Sequence, residues 1–348
     1  MNAIQPLLSS AAAAARLDIS AKTLRIYEQH GLITPLRNAA GWRFYGAEQM
    51  DRAQQIVTLR RLGLNLAQVG RALAGETTDL DAALAEHQAN LDRQISELVA
   101  AVETTRTLRI GIAEGKIEPD LLRAVAGPKR PVLELSLPWP WAGELFVLPR
   151  LAPVTYLVGS LGSGKTRLAQ AIAGEIPGGR FVGLDRADGD AQAARAILVN
   201  DPTVNTSVQA LIEWLVADGA KASPVLLALA VALVEPGEGP LVFDLIEDGL
   251  DEASQEALAG WLGRRTGADR PLVVMTRSSG ILDLAAVERD RIIVFCPANH
   301  SPPQLVLPFV GSTGYEALAS CLGTPEMRER TIGMMAVMPQ PARSNSPG

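Results

Sequence analysis

The segment that most restricts the fold of this 348-residue chain is Gly159-Ser160-Leu161-Gly162-Ser163-Gly164-Lys165-Thr166, with the apolar run 154–158 before it and the helical run 167–173 after it. In a strand, glycine-rich turn and helix in that order, the glycines let the turn wrap, its backbone N–H groups converge and the helix N-terminus adds partial positive charge. Such a turn cradles a phosphate. In this Walker A pattern Lys165 is expected to reach the β- and γ-phosphates of ATP or GTP and Thr166 to hold Mg2+, with Gly159, Gly162, Ser163, Gly164 and Arg167 completing the cradle. The alternative is a glycine-rich turn that binds no nucleotide. The second half of such a site is a strand ending in aspartate, and Pro240-Leu241-Val242-Phe243-Asp244 supplies one 79 residues beyond Lys165, where Asp244 would hold the Mg2+ through water.

Apolar runs at 154–158, 241–243, 272–275 and 292–295 alternate with helical stretches, the pattern of an α/β domain with a mainly parallel sheet. The length predicts two or three domains, and a 47% hydrophobic content supplies their cores. The longest apolar run, 224–234, falls short of the ~20 residues of a membrane span, and the N-terminus has no basic-then-apolar leader, so a cytoplasmic protein with no membrane partner is expected. Two cysteines, Cys296 and Cys321, make neither a disulfide framework nor a zinc site. Residues 1–75 carry nine Lys/Arg against four Asp/Glu (+5) and the remainder 23 against 34 (−11). A basic first module on an acidic body suits a polyanion partner, nucleic acid first.

Residues 9–17, 21–30, 47–62 and 66–73 read as short amphipathic helices, with Ser20 as an N-cap, Gly31 as a C-cap and a small hairpin within 34–45. From 79 to 113 no proline intervenes, and Leu84, Leu91, Leu98, Thr105 and Ile112 recur every seventh residue, with Glu86, Arg93, Glu97 and Arg106 beside them. That is a seam for a second copy of the helix, the alternative being packing on its own domain. The expected division is 1–76, a helix-turn-helix module; 77–114, a dimerisation helix; 115–131, a Pro/Gly-bearing linker; 132–338, the phosphate-binding α/β module; and 339–348, a disordered tail.

Residues 10–73 resemble the winged helix-turn-helix domain of the MerR family of bacterial transcription regulators. The match runs through Ser20-Ala21-Lys22-Thr23-Leu24-Arg25-Ile26-Tyr27-Glu28, Gly31-Leu32-Ile33, Gly41-Trp42-Arg43-Phe44-Tyr45 and Leu59-Arg60-Arg61-Leu62-Gly63. Lys22, Thr23, Arg25 and Tyr27 would open the recognition helix in the major groove, and Arg37, Arg43 and Tyr45 would lie on or beside the wing against phosphates. A surface ion pair is the alternative for Arg25, and core packing for Tyr27 and for Trp42, the most structural of the set. The resemblance implies a homodimer, held by an antiparallel coiled coil at 79–113, that distorts palindromic promoter DNA for RNA polymerase. Residues 1–295 hold no cysteine, so thiolate metal sensing is not expected and the sensor is assigned to the C-terminal module.

About residues 132–300 resemble ABC-type ATPases, since Leu245-Ile246-Glu247-Asp248-Gly249-Leu250-Asp251 looks like the stretch from Walker B to the D-loop. The chain departs from that pattern. Leu245 stands where the family has its catalytic glutamate, leaving Glu247 as the tentative catalytic residue; Arg277 stands near the switch histidine, and no clear signature motif precedes Asp244. Slow or absent hydrolysis is the expectation. Trp139 or Trp141 could stack on adenine or plug the sheet edge, and Asp185, Asp188 and Asp190 read as a solvated turn. The expected whole is a dimeric regulator whose nucleotide-binding module biases promoter binding. Alternatives are an active DNA-localised ATPase, a repressor with a vestigial P-loop scaffold, and a small-molecule kinase.

Overall fold

The computed structural model describes residues 7–113, 133–265, 269–287 and 291–324; the expected linker and tail lie outside them. The N-terminal module contains β1 (Leu8–Ser9), α1 (Ser10–Leu17), α2 (Ala21–Gln29), β2 (Leu36–Arg37), β3 (Arg43–Tyr45), α3 (Ala47–Arg61) and α4 (Leu66–Leu73). Ser20 caps α2 by accepting the Thr23 N–H at 3.0 Å. The helix closes through Gly31 N–H to Glu28 O and Leu32 N–H to Tyr27 O, both 2.9 Å, which is the Schellman pattern. Asn65 and Gln68 form a reciprocal capping box on α4. Leu24, Tyr27, Tyr45, Ile56 and Val69 fill the core between these helices. The expected all-α module with a wing gains a strand: β1 pairs with β3, Leu8 opposite Tyr45, so the wing is the edge of a three-stranded sheet.

Helix α5 (Thr78–Ala113) is 36 residues long and matches the uninterrupted heptad stretch. Leu84, Leu91, Ile95 and Val102, spaced seven, four and seven apart, are 46%, 43%, 56% and 58% exposed. An apolar stripe this narrow on a solvated helix has the a/d spacing of a coiled coil.

The C-terminal module begins with the antiparallel pair β4 (Leu133–Ser136) and β5 (Leu145–Leu148). There follow β6 (Val154–Gly159), α6 (Lys165–Glu175), β7 (Arg180–Val182), a 3-10 turn (Leu184–Ala187), α7 (Asp188–Asn200), α8 (Pro202–Ala217) and α9 (Pro224–Val234). The chain then forms β8 (Leu241–Phe243), α10 (Glu252–Gly263), β9 (Leu272–Met275), β10 (Ile292–Cys296), β11 (Gln304–Val306) and α11 (Tyr315–Ser320). The six-stranded sheet runs β11-β10-β6-β9-β8-β7, parallel throughout except for β11.

Alternation along its strands builds two cores. Tyr156, Val158, Phe243, Val274 and Phe295 face α7 to α10, while Leu157, Val242, Val273, Val294 and Cys296 face α6 and the β4–β5 pair. Burial on both faces explains why these strands read as continuous apolar runs. The parallel strands all deliver their C-terminal ends to the edge where the Gly159–Thr166 turn lies, the usual position for a ligand in an open α/β sheet.

Candidate nucleotide and nucleic-acid sites

Strand β6 is buried along its length and hands the chain to the glycine turn, where Gly162 and Gly164 take φ of +76° and +89°. A Cβ on Gly164 would lie 2.7 Å from the Trp141 ring and 2.8 Å from Pro140, so both its conformation and its space demand glycine. Lys165 is 7% exposed; its ammonium donates to Ser160 O at 2.6 Å and Ser163 Oγ at 3.3 Å. Burial lowers its pKa from the usual lysine range to about 8.

Asp244, also 7% exposed, directly follows β8 and accepts a hydrogen bond from the Thr166 hydroxyl. Burial raises its carboxyl above the ordinary range, and the Thr166 hydrogen bond opposes that rise. The two side chains expected to hold Mg2+, 78 residues apart in sequence, are therefore in direct contact at the mouth of the turn. Oxygen donors at that edge, a buried ammonium and a helix N-terminus suit a nucleotide polyphosphate with a hard divalent cation. Arg167 sits on the exposed side, its guanidinium 4.7 Å from the centre of the Trp139 ring.

Sequence reasoning missed Arg186. Asp185, Asp188 and Asp190 are exposed as expected, but they belong to the 3-10 turn and the start of α7, and Arg186 among them turns inward. Its guanidinium donates to Gly183 O at 2.9 Å, Asp244 O at 3.0 Å and Leu245 O at 2.8 Å, strapping the end of β8. A short polar run gives no sign of which member turns in. Leu245 takes a positive φ of 36°, rare for a bulky residue, so the chain bends sharply after Asp244. Glu247 is 4% exposed and its Oε1 accepts the Arg277 N–H at 3.0 Å, which ties the tentative catalytic carboxylate to the segment after β9. Of the two tryptophans, Trp141 is buried in the core on the α6 side, with its indole N–H on Ser301 O at 3.1 Å. Trp139 is 61% exposed.

The seven residues expected to face nucleic acid divide. Arg25 and Arg37 are exposed and Arg43 half-buried. Both Arg37 and Arg43 pair with Glu28, which joins the wing to α2. Partial burial would raise the Glu28 carboxyl, but hydrogen bonds from Arg43 and Arg37 hold it below the usual carboxylate range. Thr23 exchanges a 2.9 Å hydrogen bond with the Ser20 hydroxyl. Lys22 is turned toward α10, 2.9 Å from Glu256 and 3.6 Å from Glu252.

Tyr27 and Tyr45 are corrections. They are 4% and 0% exposed in the helical core, because a tyrosine on the inner face of a small module is needed to fill it. Trp42 corrects the other way, standing 69% exposed at the wing tip rather than packing inside. Among the described residues no group of three or more His, Cys, Asp or Glu could hold a metal ion, and no helix is long and apolar enough to cross a membrane.

Residues 8–76 match the family described as MerR HTH family regulatory protein. The "Heavy metal-dependent transcription regulator 2" of Rhizobium meliloti (strain 1021) is 35% identical over 111 residues, 29% of this chain and 74% of that protein. Among solved structures, HiNmlR, a MerR family regulator lacking the sensor domain and bound to promoter DNA, is 26% identical. It covers 36% of this chain and 100% of its own, with a TM-score of 0.25. A putative cobalt transport ATP-binding protein is 16% identical over 53% of this chain and 80% of its own, with a TM-score of 0.33.

Proposed function

The chain belongs to the MerR family of helix-turn-helix regulatory proteins, and from that premise we propose that it is a dimeric, promoter-binding transcription regulator whose P-loop module binds ATP or GTP with Mg2+ and thereby modulates DNA binding. The observation that carries this reading is the presence, in one chain with a MerR-type module, of a preorganised phosphate turn whose Thr166 and Asp244 are already in contact. A turn built only for packing has no use for a buried ammonium held over its own carbonyl and hydroxyl oxygens.

In this reading Lys165 exchanges its hydrogen bonds to Ser160 and Ser163 for phosphate oxygens, while the N–H groups opening α6 hold the phosphate chain. Thr166 and Asp244 hold Mg2+, which would neutralise charge on the phosphates. Glu247 is held by a backbone amide, and Leu245 offers no base, so binding with little turnover is the expected behaviour. Arg25, Arg37 and Arg43 supply phosphate contacts on DNA, and the α5 stripe supplies the dimer seam. Promoter distortion read by RNA polymerase, in the compartment that holds the DNA, completes the proposal. The metal dependence in the relative's name does not transfer, because this chain has no cysteine before Cys296.

The test is nucleotide binding and turnover by the purified protein, wild type against Asp244→Asn, with and without duplex DNA. Mg2+-dependent binding that Asp244→Asn weakens, with negligible turnover, supports the regulator. DNA-stimulated turnover abolished by Asp244→Asn would instead make this an ATPase localised on DNA.

A further inference from the structure

Three charged contacts join the DNA-reading module to the P-loop module. Lys22, in the first turn of α2, pairs with Glu256 and Glu252 on α10. Arg60 on α3 grips Asp218 with both guanidinium nitrogens, at 2.6 and 3.2 Å, and the Leu66 N–H that opens α4 donates to the same carboxylate at 2.7 Å. The Asp218 side chain is 2% exposed. Gly260, one further turn along α10 from Glu256, completes the stripe: a Cβ there would meet Arg60 Nη2 at 2.8 Å and Asp218 Oδ2 at 3.0 Å. The modules are in direct contact at these points, dry at Asp218 and open to solvent at Lys22 and Glu252. Between them runs a cleft of about 910 Å3, lined on one side by Ser20, Lys22 and Thr23 and on the other by Ala253, Glu256 and Arg264.

We infer that the Glu252–Glu256–Gly260 stripe of α10 is a docking surface for the recognition helix of the same chain, and that DNA and α10 compete for that helix. This rests on the DNA-binding reading above. A recognition helix works by placing its N-terminal side chains in a groove ~12 Å wide with phosphates on both rims. Lys22 cannot serve a phosphate and Glu256 together, and α10 lies against the first turn of α2, the end that a groove would receive. The carboxylates take the place of phosphates. Each docked molecule is withdrawn from DNA, so a docked fraction of ~90% weakens the apparent affinity about tenfold.

The N-terminal half of α10 is tied to the loops that leave the nucleotide edge of the sheet, which gives the contact a route of control. Asp251 caps the helix by accepting the Ser254 N–H at 2.9 Å and lies seven residues beyond Asp244. Gln255, buried, donates to Leu250 O at 2.7 Å and accepts from the Ser278 hydroxyl at 2.6 Å. The helix is thus pinned to both segments that leave the phosphate edge of the sheet, after β8 and after β9. A nucleotide that displaces those segments displaces the Glu252–Glu256 stripe with them, because the helix is hydrogen-bonded to both. This is a differential contact through which a nucleotide can bias the DNA-bound state.

The experiment uses the full chain as wild type, as E252Q/E256Q, and as E175Q/E316Q, which removes two exposed charges elsewhere. Duplexes are selected from a random-sequence pool with E252Q/E256Q and their affinities measured for all three; amide hydrogen exchange at residues 20–30 is followed in parallel. The inference expects E252Q/E256Q to bind about tenfold tighter than the other two and residues 20–30 to exchange faster in it. Equal affinities in the three chains, or unchanged exchange at 20–30 in E252Q/E256Q, overturn it. If no chain enriches any duplex, the DNA reading falls, and exchange at 20–30 alone then decides whether α10 holds the helix.

Discussion

The two modules handle charge in opposite ways. In the N-terminal module Arg25 and Arg37 lie at the surface, and Arg37 and Arg43 share Glu28 with solvent close by. In the P-loop module Lys165 and Asp244 are each 7% exposed, and their protonation is shifted by burial itself. The surface set acts by long-range attraction, which salt screens, and it can be covered or uncovered by a moving partner. The buried set is preorganised by the fold around it. In the reading proposed above, the module that is switched keeps its charges outside and the module that holds a ligand keeps them in.

The sharpest way to break this comparison is at the junction, where a buried charge of one module serves the other. Asp218→Ala leaves Arg60 with Leu64 O alone and takes the acceptor from the Leu66 N–H, and the loss of these charge-assisted hydrogen bonds costs ~1.5–3 kcal/mol; a clear fall in the urea midpoint is expected. An unchanged midpoint would mean that the modules do not depend on this contact. Next, Lys165→Ala should weaken nucleotide binding by ~10- to 100-fold, the loss of charge-assisted hydrogen bonds, while leaving DNA affinity without nucleotide unchanged in a filter-binding titration. Gly164→Ala should cost roughly 1–3 kcal/mol, read as thermal destabilisation with weakened nucleotide binding, because alanine at φ +89° meets Trp141.

The buried lysine also gives a pH dependence with a definite sign. Its pKa of about 8 means that the ammonium is intact below that pH and is lost as pH rises through it. Nucleotide affinity should hold from pH 6.5 to 7.5 and fall above pH ~8, by at most tenfold per unit, with no such fall in Lys165→Ala. The smallest effect belongs to the surface. Arg25→Ala should lower DNA affinity and reduce the slope of log K against log salt by about 1, leaving nucleotide binding alone.

What the sequence disclosed and what it hid follow the same division. Local order was legible: α4 falls on 66–73, α5 extends one residue beyond the heptad stretch, and Val154–Gly159 precedes the glycine turn because strand, turn and helix each carry their own signal. The Lys165–Thr166–Asp244 constellation was legible too, since the glycine-turn motif carries the first two and an apolar strand ending in aspartate carries the third. Hidden were the positions decided by packing between distant segments. Tyr27 and Trp42 exchanged the roles expected of them, because hydrophobicity does not say which face of a small module closes. Arg186 turning in behind β8, and Arg60 meeting Asp218 across 158 residues, leave no local pattern at all.

The most direct test of the account is the affinity of the full chain for a selected duplex, measured by fluorescence anisotropy with and without ATP and Mg2+, in wild type and Lys165→Ala. The account predicts that nucleotide changes the wild-type affinity several-fold and leaves Lys165→Ala unmoved, because the shift must enter through the phosphate turn. A wild-type affinity identical in all nucleotide conditions, in protein shown to have bound the nucleotide, would contradict it.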